Sequence, residues 1–378
     1  MTYSKSGDGS RIQVIDAGKL NSYSFEVGPI RPPSEGGSHS LLLRVTRNCP
    51  WSRCRFCYGM IYNREKFELR SVEDVKKDID TVRAMADEIK AISWKLGYGG
   101  EVNANVGTAI IQSDPRLNSN HCFIMVFNWL YLGAKTAFLQ DANTLIMPTP
   151  QLLEVIRYLK EKFPSTERIT SYARAKTLSK KSLEELKELR EAGLSRLHVG
   201  LETGDDDLLR LVDKGVTSDE QVKAGKKARE AGFELSEYVM IDLGGRTRSE
   251  QHAKNTARVL NEIDPDFIRL RPLMLGPGLP LYEDYTQGTL ELSSPHERLR
   301  EVKTLVENLD VTGRICFDHF LNAWYQDKGH RHTLFKQDYN GYKLPEEKEE
   351  LLTLIEEGLS LDESTHIHVK DMLGLTHL

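Results

Sequence analysis

The chain has 378 residues and a formal net charge of −5, from 51 Lys and Arg against 56 Asp and Glu. This acidic balance argues against a nucleic-acid partner, because domains that grip nucleic acid are usually strongly basic. Hydrophobic residues make up 39% of the chain, which is enough for a packed core. No stretch approaches the roughly 18 uninterrupted apolar residues of a membrane span, and the N-terminus lacks the apolar core of a secretory signal. We therefore expect a cytoplasmic protein with no membrane span.

The first third of the chain predicts an irregular start, one strand, one long helix and an insertion. Residues 1–39 are rich in Gly, Ser and Pro and predict an irregular lead-in. Ser40–Thr46 is a short apolar run typical of a strand, and a cysteine-rich segment follows it directly. A helix is predicted to begin at Ser71, where Asp74 completes a capping box. Residues 93–133 break the helical pattern and are interpreted as an insertion.

From residue 135 onward, predicted strands and helices alternate regularly. This alternation is typical of a parallel sheet with right-handed crossovers, either an α/β barrel or a doubly wound sheet. The predicted strands are Lys135–Gln140, Ile169–Ala173, Arg196–Leu201, Glu234–Leu243 and Phe267–Leu273, and the predicted helices are Pro150–Lys162, Lys180–Ala192, Ser218–Ala231 and Ser249–Glu262.

Three of the five cysteines, Cys49, Cys54 and Cys57, crowd into nine residues with the spacing C-x4-C-x2-C. Thiolates this close in one loop can converge on a metal centre, and the neighbouring Arg53 and Arg55 would ease their ionisation. Structural zinc normally takes four protein ligands, whereas an iron–sulfur cluster held by three thiolates keeps one iron open for a small molecule. The spacing favours an iron–sulfur cluster and leaves zinc as the alternative.

The cysteine segment resembles that of radical S-adenosylmethionine (radical SAM) enzymes. Their usual motif is C-x3-C-x-aromatic-C after the first barrel strand, and Phe56 occupies the aromatic position here. The resemblance covers roughly residues 40–330. Arg196–Asp205 resembles the family's fourth strand, while Leu211–Gly215 and Pro272–Leu281 resemble segments of the coproporphyrinogen-oxidase-like and methylthiotransferase-like branches.

The sequence departs from the family pattern in three places. The first gap of the cysteine motif has four residues, so one residue must be looped out. The coproporphyrinogen oxidase pattern has a further cysteine two places after the third, where this chain has Gly59. The family's Gly-Gly-Glu segment after the second strand is replaced by a run that includes Asp141 and Asn143.

The resemblance implies a fold and a chemistry. The expected fold is a partial TIM-type (β/α)6 barrel over residues 40–290, with the insertion at 93–133 after the first helix and an α-rich extension over 291–378. In the family, the three cysteines hold an oxygen-sensitive 4Fe-4S cluster whose open iron chelates S-adenosylmethionine. Reductive cleavage then releases a 5′-deoxyadenosyl radical that abstracts hydrogen. A small or medium-sized substrate and an electron donor such as flavodoxin or ferredoxin are the implied partners.

By the same resemblance, Cys49, Cys54 and Cys57 are the expected cluster ligands. Phe56 should pack near the adenine of the cofactor. Reactive groups in barrels lie at the carboxyl ends of strands, where Glu202 could accept hydrogen bonds from ribose hydroxyls or the methionyl ammonium.

Further cofactor candidates follow other predicted strands. Arg174 could pair with the methionyl carboxylate, and Asp141 or Asn143 could replace the missing Gly-Gly-Glu contacts. Gly244 could let the backbone approach the cofactor closely. Arg271, together with Arg269 on the same strand, is a candidate for recognition of an anionic substrate.

Two readings from other classes remain open. One is a heme-binding or heme-delivering protein of the coproporphyrinogen-oxidase-like branch, which would carry its ligand without catalysis. The other is an α/β interaction protein stapled by zinc.

Overall fold

A computed structural model of the chain describes residues 15–30, 39–57 and 65–373, together with the backbone of a strand pair, Ser4–Lys5 with Arg11–Ile12. Much of the predicted lead-in and Gly59 lie outside the described residues.

One eight-stranded sheet forms the framework, and its strands lie in chain order from one edge to the other. The first seven strands pair in parallel and the eighth is antiparallel. The strands are β1 Ser40–Arg44, β2 Thr136–Gln140, β3 Arg168–Ala173, β4 Leu194–Glu202, β5 Glu234–Ile241, β6 Phe267–Pro272, β7 Arg314–Cys316 and β8 Tyr342–Lys343. The predicted α/β class and partial TIM-type barrel are confirmed, and the sheet continues past the six predicted strands through β7 and β8.

Helices follow the strands, and successive helices pack against one another outside the sheet. They are α1 Val72–Lys95, α2 Ala104–Ser113, α3 His121–Tyr131, α4 Thr149–Lys162, α5 Ala175–Lys180, α6 Leu183–Ala192, α7 Asp206–Leu211, α8 Ser218–Glu230, α9 Gly245–Ile263, α10 Pro280–Thr286, α11 Pro295–Asn308 and α12 Lys348–Ser360. None of these helices, in the part of the chain that the structure describes, is long and apolar enough to cross a membrane.

Local sequence signals explain where the helices begin. The Ser71 hydroxyl accepts a hydrogen bond from the amide of Asp74 at the start of α1. The predicted single helix Lys180–Ala192 is wrong at its start, because Ser182 forms a capping box with Glu185 and begins a new helix there. The end of the predicted helix therefore belongs to α6, while its first residue ends the separate short helix α5.

The insertion packs on the edge of the sheet. Helix α3 lies against α1 and β1, and the fully buried Trp129 donates its indole N–H to the carbonyl of Thr136 over 2.8 Å. The insertion thus covers the side of β1 and β2 and lies away from the strand ends that follow.

Aromatic rings from consecutive strands fill the inside of the curved sheet. Phe138 and Tyr172 have ring centroids 5.0 Å apart, and His198 lies 5.8 Å from Tyr172 and 5.4 Å from Tyr238. Aromatic pairs at these separations gain packing energy beyond area burial. These packed rings close the inside of the sheet below the carboxyl ends of the strands.

Candidate functional site

A cavity of about 420 Å³ opens at the carboxyl ends of the strands, and all three clustered cysteines line it. Its other lining residues are Ile30, Phe56, Ala142, Tyr172, Ala173, Arg174, Gly200, Glu202, Lys214, Tyr238, Met240, Arg271, Pro272 and Met274. A larger cleft of about 810 Å³ lies on the insertion, but its described lining carries neither cysteine nor histidine. The smaller cavity is therefore the candidate site, because it gathers the reactive groups.

Hydrogen bonds with main-chain groups of distant segments hold the cysteine loop in place. The amide of Arg55 donates to the carbonyl of Val212 over 2.9 Å. The indole N–H of Trp51 donates to the carbonyl of Asp213 over 2.6 Å, and the amide of Leu281 donates to the carbonyl of Arg55 over 3.3 Å. The turn after α7 and the first turn of α10 thus set the position of the loop.

The four-residue gap between the first two cysteines contains a left-handed turn. Ser52, between the first and second cysteines, has a φ of 45°. Non-glycine residues are uncommon in this region. Opposite the turn, Gly215 has a φ of 70°, and a Cβ there would lie 2.5 Å from the ring of Trp51. The glycine therefore leaves room for the indole that anchors the loop.

An ion pair between Lys214 and Glu202 forms part of the cavity wall. Lys214 Nζ lies 2.8 Å from Glu202 Oε1, and the two side chains are 11% and 12% exposed. Glu202 has a φ of 65° at the end of β4. Arg174 donates from Nη2 to the carbonyl of Lys214 over 2.8 Å, and its guanidinium lies 5.2 Å from the ring of Trp51. Glu202 and Arg174 thus both line the cavity. Glu202 is held by Lys214, and Arg174 is held by the carbonyl of Lys214 and the ring of Trp51.

The charges acting on the cysteines differ from those the sequence suggested. Burial raises the pKa of the Cys54 thiol, while Lys214 and Arg174 oppose this rise. Arg53 is instead paired with Asp213 at 2.9 Å, and Arg55 is paired with Asp284. Sequence reasoning missed Lys214. The available signal was its place in Leu211–Gly215, a segment that resembles those of related family branches.

Asp141 is placed beneath the cysteine loop and is not among the residues that line the cavity. Its carboxylate accepts from Arg44 Nη2 over 2.8 Å and from the amide of Asn48 over 3.2 Å. The side chain is fully buried, and burial raises its pKa although Arg44 opposes the effect. Asp141 therefore holds the residue before Cys49, and a direct contact with a cofactor stays a prediction.

Asn143 and Gly244 also lie outside the cavity lining. Asn143 Oδ1 accepts from the amide of Arg174 over 3.0 Å, and its amide group donates to Thr177 Oγ1 over 2.9 Å. Asn143 therefore positions the backbone of Arg174. Gly244 precedes α9, where a Cβ would lie 2.8 Å from the side chain of Arg248, so its observed close approach is to its own helix.

A buried network supports the end of β4 from the side of α9. His252 Nδ1 lies 2.9 Å from Glu301 Oε1, and its Nε2 lies 3.4 Å from the carbonyl oxygen of Glu202. The same Glu301 oxygen accepts the amide of Asp242 over 3.0 Å. Burial, followed by the charge of Glu301, raises the pKa of Asp242 to about 7. The backbone at Glu202 is thus tied to a set of buried ionisable groups.

Comparisons with known proteins agree with the cysteine motif. The radical SAM superfamily model matches residues 43–260. The heme chaperone HemW of Bacillus subtilis (strain 168) is 24% identical over 212 residues, which cover 55% of each chain. The chain therefore spans about half the length of this curated relative.

Solved structures that match have low overall similarity. Methylornithine synthase (PylB) matches with a TM-score of 0.42 and 15% identity, covering 84% of this chain and 74% of that one. Coproporphyrinogen III oxidase (HemN) from Escherichia coli matches with a TM-score of 0.38 and 17% identity, covering 55% and 49%. The assignment rests on the superfamily match, which covers more than half of the chain: this protein belongs to the radical SAM superfamily.

Proposed function

We propose that this chain is an enzyme that cleaves S-adenosylmethionine reductively and abstracts hydrogen from a small or medium-sized substrate. Cys49, Cys54 and Cys57 would hold a 4Fe-4S cluster, as members of the superfamily generally do. The observation that carries the proposal is that the three thiols line one cavity together with the Lys214–Glu202 ion pair.

The residues present fit such a cluster. The three thiols share a cavity in which Lys214 and Arg174 supply the positive charge that favours thiolates. No three His, Cys, Asp or Glu side chains among the described residues are grouped as they would be around a single metal ion. The corners of a four-iron cube hold thiolates further apart than one ion does. When bound, the cluster supplies the electron that breaks the carbon–sulfur bond of S-adenosylmethionine, so we expect an electron donor such as flavodoxin or ferredoxin.

The protein side chains would bind the cofactor and exclude water. Glu202 would accept hydrogen bonds from ribose hydroxyls or the methionyl ammonium, and Arg174 would pair with the methionyl carboxylate. Phe56, which packs with the apolar cluster around Leu281 and lines the cavity, would cover the adenine. Met240 and Met274 add apolar wall, which keeps water from a reactive intermediate.

The test is anaerobic reconstitution with iron and sulfide, followed by measurement of iron content and of 5′-deoxyadenosine formed from S-adenosylmethionine under reducing conditions. Cys54→Ala should lose the cluster and all cleavage, because one of three ligands is gone. Cys122→Ala is the matched control, since Cys122 lies on α3 with its thiol 3.5 Å from the carbonyl of Phe25. Normal iron content in Cys54→Ala would contradict the ligand assignment.

The named activity of the curated relative favours one second candidate, a heme carrier. Titration of the reconstituted protein with hemin, monitored by the Soret band, separates the two functions. Saturable heme binding without formation of 5′-deoxyadenosine would favour the carrier. Cleavage of S-adenosylmethionine without heme binding would favour the enzyme. Metal analysis of the same anaerobic sample tests the zinc alternative.

A further inference from the structure

Arg271, at the end of β6, brings unsatisfied donors to the cavity that the cysteines line. Its Nη1 and Nη2 atoms are buried and have no hydrogen-bond acceptor among the residues that the structure describes. A guanidinium is always charged and presents its donors as a planar fork. Because a buried donor without an acceptor is costly, this fork is arranged for an acceptor that enters the cavity.

Among the residues that the structure describes, the ion pairs around Arg271 leave a positive surplus. Two guanidinium groups face one carboxylate, that of Asp318, which lies 3.4 Å from Arg269 Nη1 and 3.7 Å from Arg271 Nη1. Both distances exceed the roughly 2.7–2.9 Å of a charge-assisted hydrogen bond. His319 adds no negative charge and is neutral near pH 7, since burial and the nearby Arg271 lower its pKa to about 4. One carboxylate therefore does not satisfy both arginines.

Of the two arginines, Arg271 is the one that faces the cavity. Arg269 is fully buried, donates to the carbonyl of Tyr339 over 3.1 Å and lies 4.0 Å from the Tyr339 ring. Arg271 lines the cavity and lies 4.6 Å from the ring of Tyr238, which holds the plane of its guanidinium. Lys214 and Arg174 already supply positive charge near the cysteines. Arg271 is therefore left for a different anion, at the β6 side of the cavity.

We propose that Arg271 binds an anionic group of the substrate, a carboxylate or a phosphate, while the uncharged body of the substrate lies against Tyr238, Met240 and Met274. The anion site follows from the geometry, and only its assignment to the substrate rests on the proposed function. Asp318 competes weakly for the same guanidinium and is displaced from it when the anion binds.

The test is calorimetric titration of the reconstituted protein, with S-adenosylmethionine present, using phenylacetate, phenyl phosphate and the neutral 2-phenylethanol. The wild type should bind one of the anions on the order of tenfold more tightly than the alcohol, and the better anion identifies the group. Arg271→Gln should abolish this preference, whereas Arg246→Gln is the matched control and should retain it, because Arg246 lies outside the cavity lining and its side chain is 52% exposed. Asp318→Asn should strengthen anion binding, a gain that misfolding cannot produce.

Three results would overturn the inference. The first is no preference for anions in the wild type, and the second is an unchanged preference in Arg271→Gln. The third is an Arg271→Gln variant that binds S-adenosylmethionine less tightly but binds the anionic probes as the wild type does. Formation of 5′-deoxyadenosine by the same wild-type sample separates this inference from the proposed function. Anion preference without cleavage would refute the enzyme and support the anion site. Cleavage without anion preference would refute the anion site alone.

Discussion

Replacement of Lys214 by Met should destabilise the protein, because it leaves the buried carboxylate of Glu202 without its partner. Lys214 and Glu202 lie 2.8 Å apart with 11% and 12% of their side chains exposed. Burial lowers the pKa of Lys214, but Glu202 and Cys54 outweigh that effect, so the net shift is upward and the ammonium stays charged. Removal of one partner from such a buried pair typically costs about 3–5 kcal/mol, because an uncompensated charge remains. We expect a loss of about 3 kcal/mol for Lys214→Met.

Urea unfolding of the cluster-free protein measures this without a contribution from metal binding. Lys214→Met, Glu202→Gln and the double variant form a double-mutant cycle. The double variant should lose clearly less than the sum of the single losses, by about 2 kcal/mol, since no buried charge is left alone. The exposed pair Lys254–Glu250, 54% and 75% exposed, is the control, and Lys254→Met should cost less than about 1 kcal/mol. Additive losses in the Lys214–Glu202 cycle would refute the reasoning.

The same cycle reports on the cofactor. Glu202→Gln keeps the size of the side chain but removes the negative charge, which would strengthen hydrogen bonds from the ribose hydroxyls or the methionyl ammonium. S-adenosylmethionine should therefore bind less tightly, while the iron content stays normal. Glutamine is preferable to alanine here, because alanine would leave Lys214 facing an empty space. Equal affinity for S-adenosylmethionine in Glu202→Gln would remove this residue from the cofactor site.

Two further variants test the surroundings of the site. The carboxyl of Asp242 has a pKa of about 7 in the folded protein in place of 3.8. It therefore stabilises the fold fully below pH 3.8, and this contribution is lost as the pH rises through 7. Since a pKa unit is about 1.4 kcal/mol, the contribution of Asp242 to the free energy of unfolding should fall by roughly 4 kcal/mol over that range. Urea unfolding at several pH values should show that Asp242→Asn lacks this fall. An equal fall in the wild type and the variant would contradict the role of Asp242. Gly215→Ala should reduce iron content after reconstitution by displacing Trp51, whereas Gly288→Ala, with a similar φ of 76° but no neighbour within 4 Å, should reconstitute normally; equal iron content in both would refute the steric argument.

Local patterns in the sequence predicted most of the framework. The regular alternation of apolar strands and capped helices from residue 135 onward gave the parallel sheet, since both periodicities are short-range. The three cysteines, Phe56, Arg174 and Glu202 were predicted at the site, and all of them line the cavity. β8, Tyr342–Lys343, has only two residues, which is too short to show any period.

The remaining contacts depend on segments that are far apart in the chain. Arg44 and Asp141 are separated by 97 positions, and no local rule indicates that this carboxylate would be occupied by an arginine from β1. Lys214 reaches the site because the turn after α7 folds back beneath the cysteine loop, which its own composition does not reveal. Strand ends identify the neighbourhood of a site, whereas pairing among its charges requires the three-dimensional structure.

The cysteine loop is anchored to main-chain groups of Val212, Asp213 and Leu281, and this has a consequence for repair after oxidative damage. A loop that is held by peptide groups of remote segments does not need a bound cluster to keep its conformation. If the proposed cluster is lost in air, the loop that held it should therefore keep its shape. We expect such a chain to accept a new cluster after oxidation without refolding, so that oxidative loss of the cluster need not mean loss of the protein.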